Sequence, residues 1–325
     1  MKKFLAYPVT RALLALVIIV ILGTIFNADG AFFDWGTHRD MLRQVSVYGI
    51  LACGMTLVII TGGIDLSVGS VLGLTSVFFS MLSIHWGWSP WVTIPLSLLL
   101  GAGCGMISGG FIARFGLQPF IVTLAMMVFA RGMAKYVSGG QKISNYLQKP
   151  DGSFENLELP AVFDALDARL LGNNVTVVSV ILGLSVAVSY LVLNRHRYGR
   201  YLFAIGGNEA AAALSGVPVL RAKLLAYGIS GMFAALAGIC QAAQEYQGDP
   251  EAGTAYELSA IAIVVIGGTS LMGGRGGIML TLLGTLTIGY LEKILSLNAV
   301  GEASRLMLTG AIIVGAVMFQ RNRAN

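Results

Sequence analysis

The sequence predicts an all-α polytopic membrane protein with about ten transmembrane helices, and three observations carry that prediction. Hydrophobic residues occupy 56% of the 325 positions and charged residues only 11%. Mean hydropathy is +0.77. The apolar residues are also gathered into separate runs of bilayer-crossing length. A soluble globular chain carries about a quarter charged residues, and so few charges cannot cover a water-facing surface. No long polar linker interrupts the pattern, so residues 1–325 read as a single transmembrane domain.

Crossing a hydrocarbon core of ~30 Å takes roughly 20 apolar residues in a helix. In order, the runs lie near 9–26, 44–61, 66–84, 90–113, 119–138, 174–193, 223–244, 257–271, 277–295 and 303–320. The first follows Lys2 and Lys3 as a secretory leader would. However, Arg11 precedes its apolar core and Ala28-Asp29-Gly30-Ala31 is a poor cleavage site, so it reads as a retained span. The runs 66–84 and 257–271 are bounded or broken by glycines and read as short, tilted or re-entrant. Cys53, Cys104 and Cys240 sit inside apolar runs at spacings that fit neither a zinc site nor a disulfide framework.

Lysines and arginines beside the spans set the orientation. With the amino terminus in the cytoplasm, that side holds Lys2, Lys3, Arg11, Arg114, Arg195, Arg197, Arg200, Arg221, Lys223, Arg275, Arg321 and Arg323, against only Asp65 and Glu209 among the acids. Both termini are therefore expected in the cytoplasm. Two connections are long: 139–173, polar and facing outward, with Pro150 and Pro160, and 194–222, basic and facing inward. Long connections in compact proteins are usually functional or disordered.

Many of the 42 glycines fall within the spans. Gly101, Gly105 and Gly109 form a tandem GxxxG, Gly69 and Gly73 repeat the spacing, and Gly228, Gly231 and Gly238 line the seventh run. Such spacing lets helix backbones approach closely. It implies a tight bundle and does not single out transport.

Three passages are more specific. The first, Thr61-Gly62-Gly63-Ile64-Asp65-Leu66-Ser67-Val68-Gly69-Ser70, reads as a turn at membrane depth followed by a helix start. Asp65 and Ser67 can accept from orphaned helix N–H groups, or they can belong with Gly62 and Gly63 to a gate or solute path. The second, Gly267-Gly268-Thr269-Ser270-Leu271-Met272-Gly273-Gly274-Arg275-Gly276-Gly277, lacks the Gly-Lys-Ser/Thr of a phosphate loop and reads as an inner turn. Gly267 and Gly268 are further candidates for the path or gate. In the third, Ala204–Pro218, Asn208 can cap a helix from Glu209 to Leu214, which Gly216 stops and Pro218 cannot continue.

In this order the passages resemble the permease subunits of ATP-binding-cassette importers for sugars, the ribose-type branch of a family shared with branched-chain amino acid permeases. The resemblance runs from about Gln44 to Arg321 and includes Gln118–Leu124 and Tyr256–Ala262, with Ser259 where many relatives carry aspartate. It implies a multi-pass protein of the bacterial cytoplasmic (inner) membrane that lines the translocation path for a monosaccharide or similar polar solute. It also implies partners: two cassette ATPase subunits that bind ATP-Mg, a periplasmic or extracellular solute-binding protein and a second, identical or different, permease chain. No cofactor is then bound by this chain, and it is not itself an enzyme. The coupling helix carried over from such permeases comprises Asn208, Glu209, Ala210, Ala211, Ala212, Ala213, Leu214, Ser215 and Gly216. Docking of the binding protein is expected at 139–173 and at the acidic stretch Glu245, Asp249, Glu251 and Glu257.

Arg131 and Lys135 share a helix face, and with Glu292 and Lys293 they are expected to reach for headgroups from span ends. The alternative reading is an ion-coupled secondary carrier, which needs midplane charges or broken helices around an ion site. The spans are nearly free of midplane charge. A membrane-embedded enzyme finds no support, because His38, His85 and His196 are scattered and no metal or catalytic set is visible. Nothing points to nucleic acid.

Overall fold

The computed structural model describes residues 8–148, 153–301, 303–308, 310–311 and 314. The helices are α1 (Pro8–Ile25), α2 (Trp35–Ile60), α3 (Val68–Ser80), α4 (Pro90–Phe115), α5 (Pro119–Ser138), α6 (Ala161–Asp167), α7 (Val177–Asn194), α8 (Arg197–Gly207), α9 (Glu209–Leu214), α10 (Val219–Glu245), α11 (Tyr256–Gly267) and α12 (Ile278–Leu297). Among the described residues eight helices are long and apolar enough to cross a membrane: α1, α2, α3 with its π-helical extension to His85, α4, α5, α7, α10 and α12. The chain is a multi-pass α-helical membrane protein.

The two weakest runs part company. Residues 66–84 give a full-length helix because the π-turn Met81–His85 extends α3. Residues 257–271 give only the 12-residue α11, about 18 Å long at the helical rise per residue. The run 303–320 lies partly outside the described residues, as do Lys2, Lys3, Pro150, Arg321 and Arg323.

The chain divides into two compact units. The first draws on the described residues of Met1–Gly63, Ile181–Val217 and Leu258–Asn325. Its centre is α2, buried almost continuously from Val45 to Ile60 and packed on α12, with α1 on the other side of α12. Small residues bring these elements close. A β-carbon on Gly49 would lie 2.7 Å from Leu182 of α7 and 2.9 Å from Thr285 of α12. The Thr56 and Thr281 hydroxyls meet at 2.6 Å between α2 and α12. Buried hydroxyls are tolerated because each can also donate to a carbonyl one turn back, as Thr56 does to Ala52 and Thr285 to Thr281.

The second unit comprises Ile64–Val180 and Pro218–Glu257, apart from the undescribed residues within the first range. Its axis is the α4–α10 pair, and the tandem GxxxG explains why. Added β-carbons on Gly101 and Gly105 would strike the carbonyls of Gly231 and Tyr227, and one on Gly231 would strike the carbonyl of Gly101. The two backbones touch with no side chain between them. The segment 139–173 is folded where it is described. It holds a hairpin pairing β1 (Tyr146–Gln148) with β2 (Phe154–Asn156), then α6, then the short pair β3 (Arg169–Leu170) and β4 (Val175–Thr176). Phe163 of α6 is fully buried against Phe79, Ile239 and Ala242, which anchors the segment.

Candidate functional site

The short helix forms as its sequence dictates. The Asn208 side chain accepts from Ala211 N–H at 3.0 Å and caps α9. At the other end Gly216 adopts φ +81°, and Val217 N–H donates to Ala212 carbonyl at 3.0 Å, closing a Schellman-type stop. Only Ala212 is buried, whereas Leu214 is 91% exposed at the tip.

The helix before it was not foreseen. Residues Arg197–Gly207 form α8, capped by His196, whose Nδ1 accepts from Tyr198 N–H at 3.2 Å. Tyr198, Leu202 and Ile205 are buried while Arg197 and Arg200 are exposed. Tyr198, Leu202 and Ile205 carry that helical period in the sequence, interleaved with the basic residues.

In the first unit the three glycine-rich passages come together. A β-carbon on Gly206, at the end of α8, would collide with the carbonyl of Ile60 and the amide of Gly274. Gly274 N–H donates to that same Ile60 carbonyl at 2.9 Å, satisfying the end of α2. A β-carbon on Gly273, at φ +82°, would sit 2.8 Å from Gly62 N and 3.0 Å from Gly206 Cα. The root of α9, the end of α2 and the turn leading to α12 therefore touch backbone to backbone. Gly267 in turn packs on Leu280 and Thr281 of α12, and Gly268 takes φ +106° near Pro8.

In the second unit, Asp65 is 1% exposed and its carboxylate is fully engaged. Oδ1 accepts from Ser67 N–H at 3.0 Å and from Ser67 Oγ at 2.6 Å, and Oδ2 accepts from Ser230 Oγ of α10 at 2.8 Å. Thr123 Oγ1 of α5 donates to the neighbouring Ile64 carbonyl at 3.3 Å. The carboxylate thus ties the chain ahead of α3 to α10. Ser230 was not singled out in the sequence, because nothing local signals a partner this remote.

The acidic stretch is occupied as well. Glu245 accepts from Gln241, Lys142 pairs with Asp249 at 2.9 Å, and Lys135 with Glu251 at 2.6 Å. Ile143 and Gly248 exchange two backbone hydrogen bonds beside them. Arg131 of α5 is held by the chain itself: its guanidinium donates to the carbonyls of Pro250 and Ala252, beside the acidic stretch.

Residues 39–317 match the family described as branched-chain amino acid transport system/permease component. The chain is 38% identical over 314 residues to the ribose import permease of Escherichia coli K12, covering 96% of this chain and 94% of that one. It is 39% identical to the ribose import permease of Haemophilus influenzae, with 95% and 91% covered. The fructose import permease of Rhizobium meliloti is 35% identical, with 95% and 84% covered. No solved structure matches. The chain belongs to this permease family, which serves ATP-binding-cassette importers.

Proposed function

We propose that this chain forms the translocation path of an ATP-driven importer for a monosaccharide or similar polar solute and couples that path to separate ATPase subunits. The ribose and fructose importers among its relatives support the solute class. The observation that carries the coupling role is α9, capped at both ends, exposed at Leu214 and rooted through Gly206 on the ends of α2 and the α12 turn. A cassette subunit that grips α9 displaces Gly206, and with no side chain to yield, the displacement passes into two membrane helices. The glycine turns at Gly62, Gly63, Gly267 and Gly268 are where those helices pivot, while Asp65 and Ser67 hold the start of α3. ATP-Mg is bound and hydrolysed by the partners.

In this reading ten spans cross the bacterial cytoplasmic membrane, both termini and 194–222 face the cytoplasm, and a second permease chain completes the path. The opposite aqueous side receives a solute-binding protein at 139–173 and around Glu245, Asp249 and Glu251. The lysines already paired with these acids orient the stretch, and reversing Asp249 and Glu251 together is expected to weaken ATPase stimulation by loaded binding protein.

The test is reconstitution with the cognate ATPase and binding protein in proteoliposomes. ATP is expected to drive uptake of ribose or fructose, with no uptake from a proton or sodium gradient alone. Exchanging exposed Ala210, Ala211 and Ala213 for bulky charged residues is expected to abolish uptake while the chain still inserts. Ion-driven uptake without ATPase would favour a secondary carrier, and normal uptake by the exchanged helix would refute the coupling role.

A further inference from the structure

A cavity of about 420 Å³ opens within the second unit beside exposed Val128 of α5. Its polar lining is Ser70 of α3, Arg131 and Lys135 of α5, Thr254 and Glu257. The glycines of α3 make the charges possible. A β-carbon on Gly69 would lie 2.5 Å from Glu257 Oε2, and one on Gly73 would lie 2.6 Å from Arg131 Nη1. Two glycines one turn apart therefore seat a carboxylate and a guanidinium on one helix face. The same glycines also admit backbone, the Gly253 carbonyl at Gly69 and the Ala252 carbonyl at Gly73, so their spacing serves close backbone approach and lodges charge beside it.

We infer that this cavity holds the transported solute, a neutral polyhydroxyl molecule, during its passage; the inference rests on the sugar-importer reading above. Charged side chains are costly against hydrocarbon and mark solute pathways when they line a wet cavity, so this side of α5 faces water. The volume lies within the range of about 300–1,000 Å³ usual for small-molecule sites. The charges select the ligand class. Lys135 is neutralised by Glu251 at 2.6 Å, which leaves Arg131 and Glu257 as an opposed pair. A phosphate or lipid headgroup would meet the Glu257 carboxylate, whereas a sugar hydroxyl accepts from one group and donates to the other. Arg131 has five N–H donors, and among the described residues both of its hydrogen bonds leave from Nη1. Ser70 adds a hydroxyl to the wall.

The experiment labels Ser70→Cys, and Thr254→Cys at the more exposed rim, in the full chain in nanodiscs with a water-soluble anionic thiosulfonate. The native cysteines are buried and give little background. Labelling of at least one site is expected, slowed about tenfold once ribose or fructose stands near ten times its Kd and unaffected by inorganic phosphate. Glu257→Gln, nearly isosteric, is expected to keep the labelling and lose the protection. Absence of labelling at both sites overturns the proposal, as does labelling that neither sugar slows or that phosphate slows instead. ATP-driven uptake of the same sugars by the wild-type assembly is scored separately, so failure of the importer reading is distinguishable from failure of the site.

Discussion

Gly206 and Gly207 are neighbours with opposite requirements. A β-carbon on the first meets two backbones, while around the second nothing lies within 4 Å. Gly206→Ala is expected to destabilise the chain by about 1–3 kcal/mol, while Gly207→Ala should be neutral or stabilise by up to about 1 kcal/mol through helix propensity. Comparative melting of the detergent-solubilised variants reads the difference, and equal midpoints would show the joint to be loose. Asp65 makes a second contrast. Asparagine retains an acceptor for Ser67 and offers an amide to Ser230, whose hydroxyl can accept in turn. Asp65→Asn is therefore expected to assemble and transport almost normally. Asp65→Ala strands buried hydroxyls at about 1–3 kcal/mol each and should assemble poorly. If Asp65→Asn assembled but did not transport, the carboxylate would have a gating role that its hydrogen bonds do not explain. The motif around Asp65 was visible in the sequence because its partner Ser67 is two residues away. Ser230 was not, being 165 residues distant. The partners of Arg131 were hidden for the same reason: the carbonyls that hold it belong to residues 119 and 121 positions further on.

Helix α9 is too short to persist by propensity, so its caps decide its existence. Asn208→Ala removes the side-chain acceptor that caps its start and is expected to cost about 1 kcal/mol of local stability. The expected outcome is reduced uptake per ATP hydrolysed with normal assembly, measured by running both assays on one proteoliposome preparation; an unchanged ratio would assign the coupling elsewhere. The boundaries of α9 were legible because Asn208, Gly216 and Pro218 are local signals. The shortness of α11 was legible for the same reason, from the glycines that follow it. What local signals cannot convey is which glycine face meets which. The α4 spacing announced a close contact, but only the fold supplies α10 as its partner. The strap at 248–251 is weaker than it looks. The hydrogen bond and charge of Asp249 hold Lys142 above the ordinary lysine range. That contribution is complete below the ordinary lysine value and fades only as pH climbs through the raised one, so physiological pH leaves it intact. Because the Lys142 side chain is 55% exposed, solvent screens the pair. Lys142→Met is expected to change stability by less than about 1 kcal/mol, as the same melting assay can check.

Over the whole molecule, the basic segment 194–222 and the folded segment 139–173 are expected on opposite sides of the membrane. A cysteine at exposed Ser215 should resist an impermeant thiol reagent in intact cells and react after lysis, while one at exposed Glu155 reacts in both; the reverse pattern would invert the topology. The multi-pass helical character was readable from composition and from the long apolar runs, since both depend on the bilayer. The division into two compact units was not, because chain order interleaves their segments. Where α4 and α10 abut at Gly101, Gly105 and Gly231, carbonyl rests against backbone with no rotamer able to give way. Backbone packed this closely resists sliding, so both helices are expected to move as one body during turnover. Spin labels placed on their exposed faces, at Ile107 and Leu225, should report a single unvarying separation in resting and ATP-loaded assemblies, a built-in ruler against which every other displacement can be gauged.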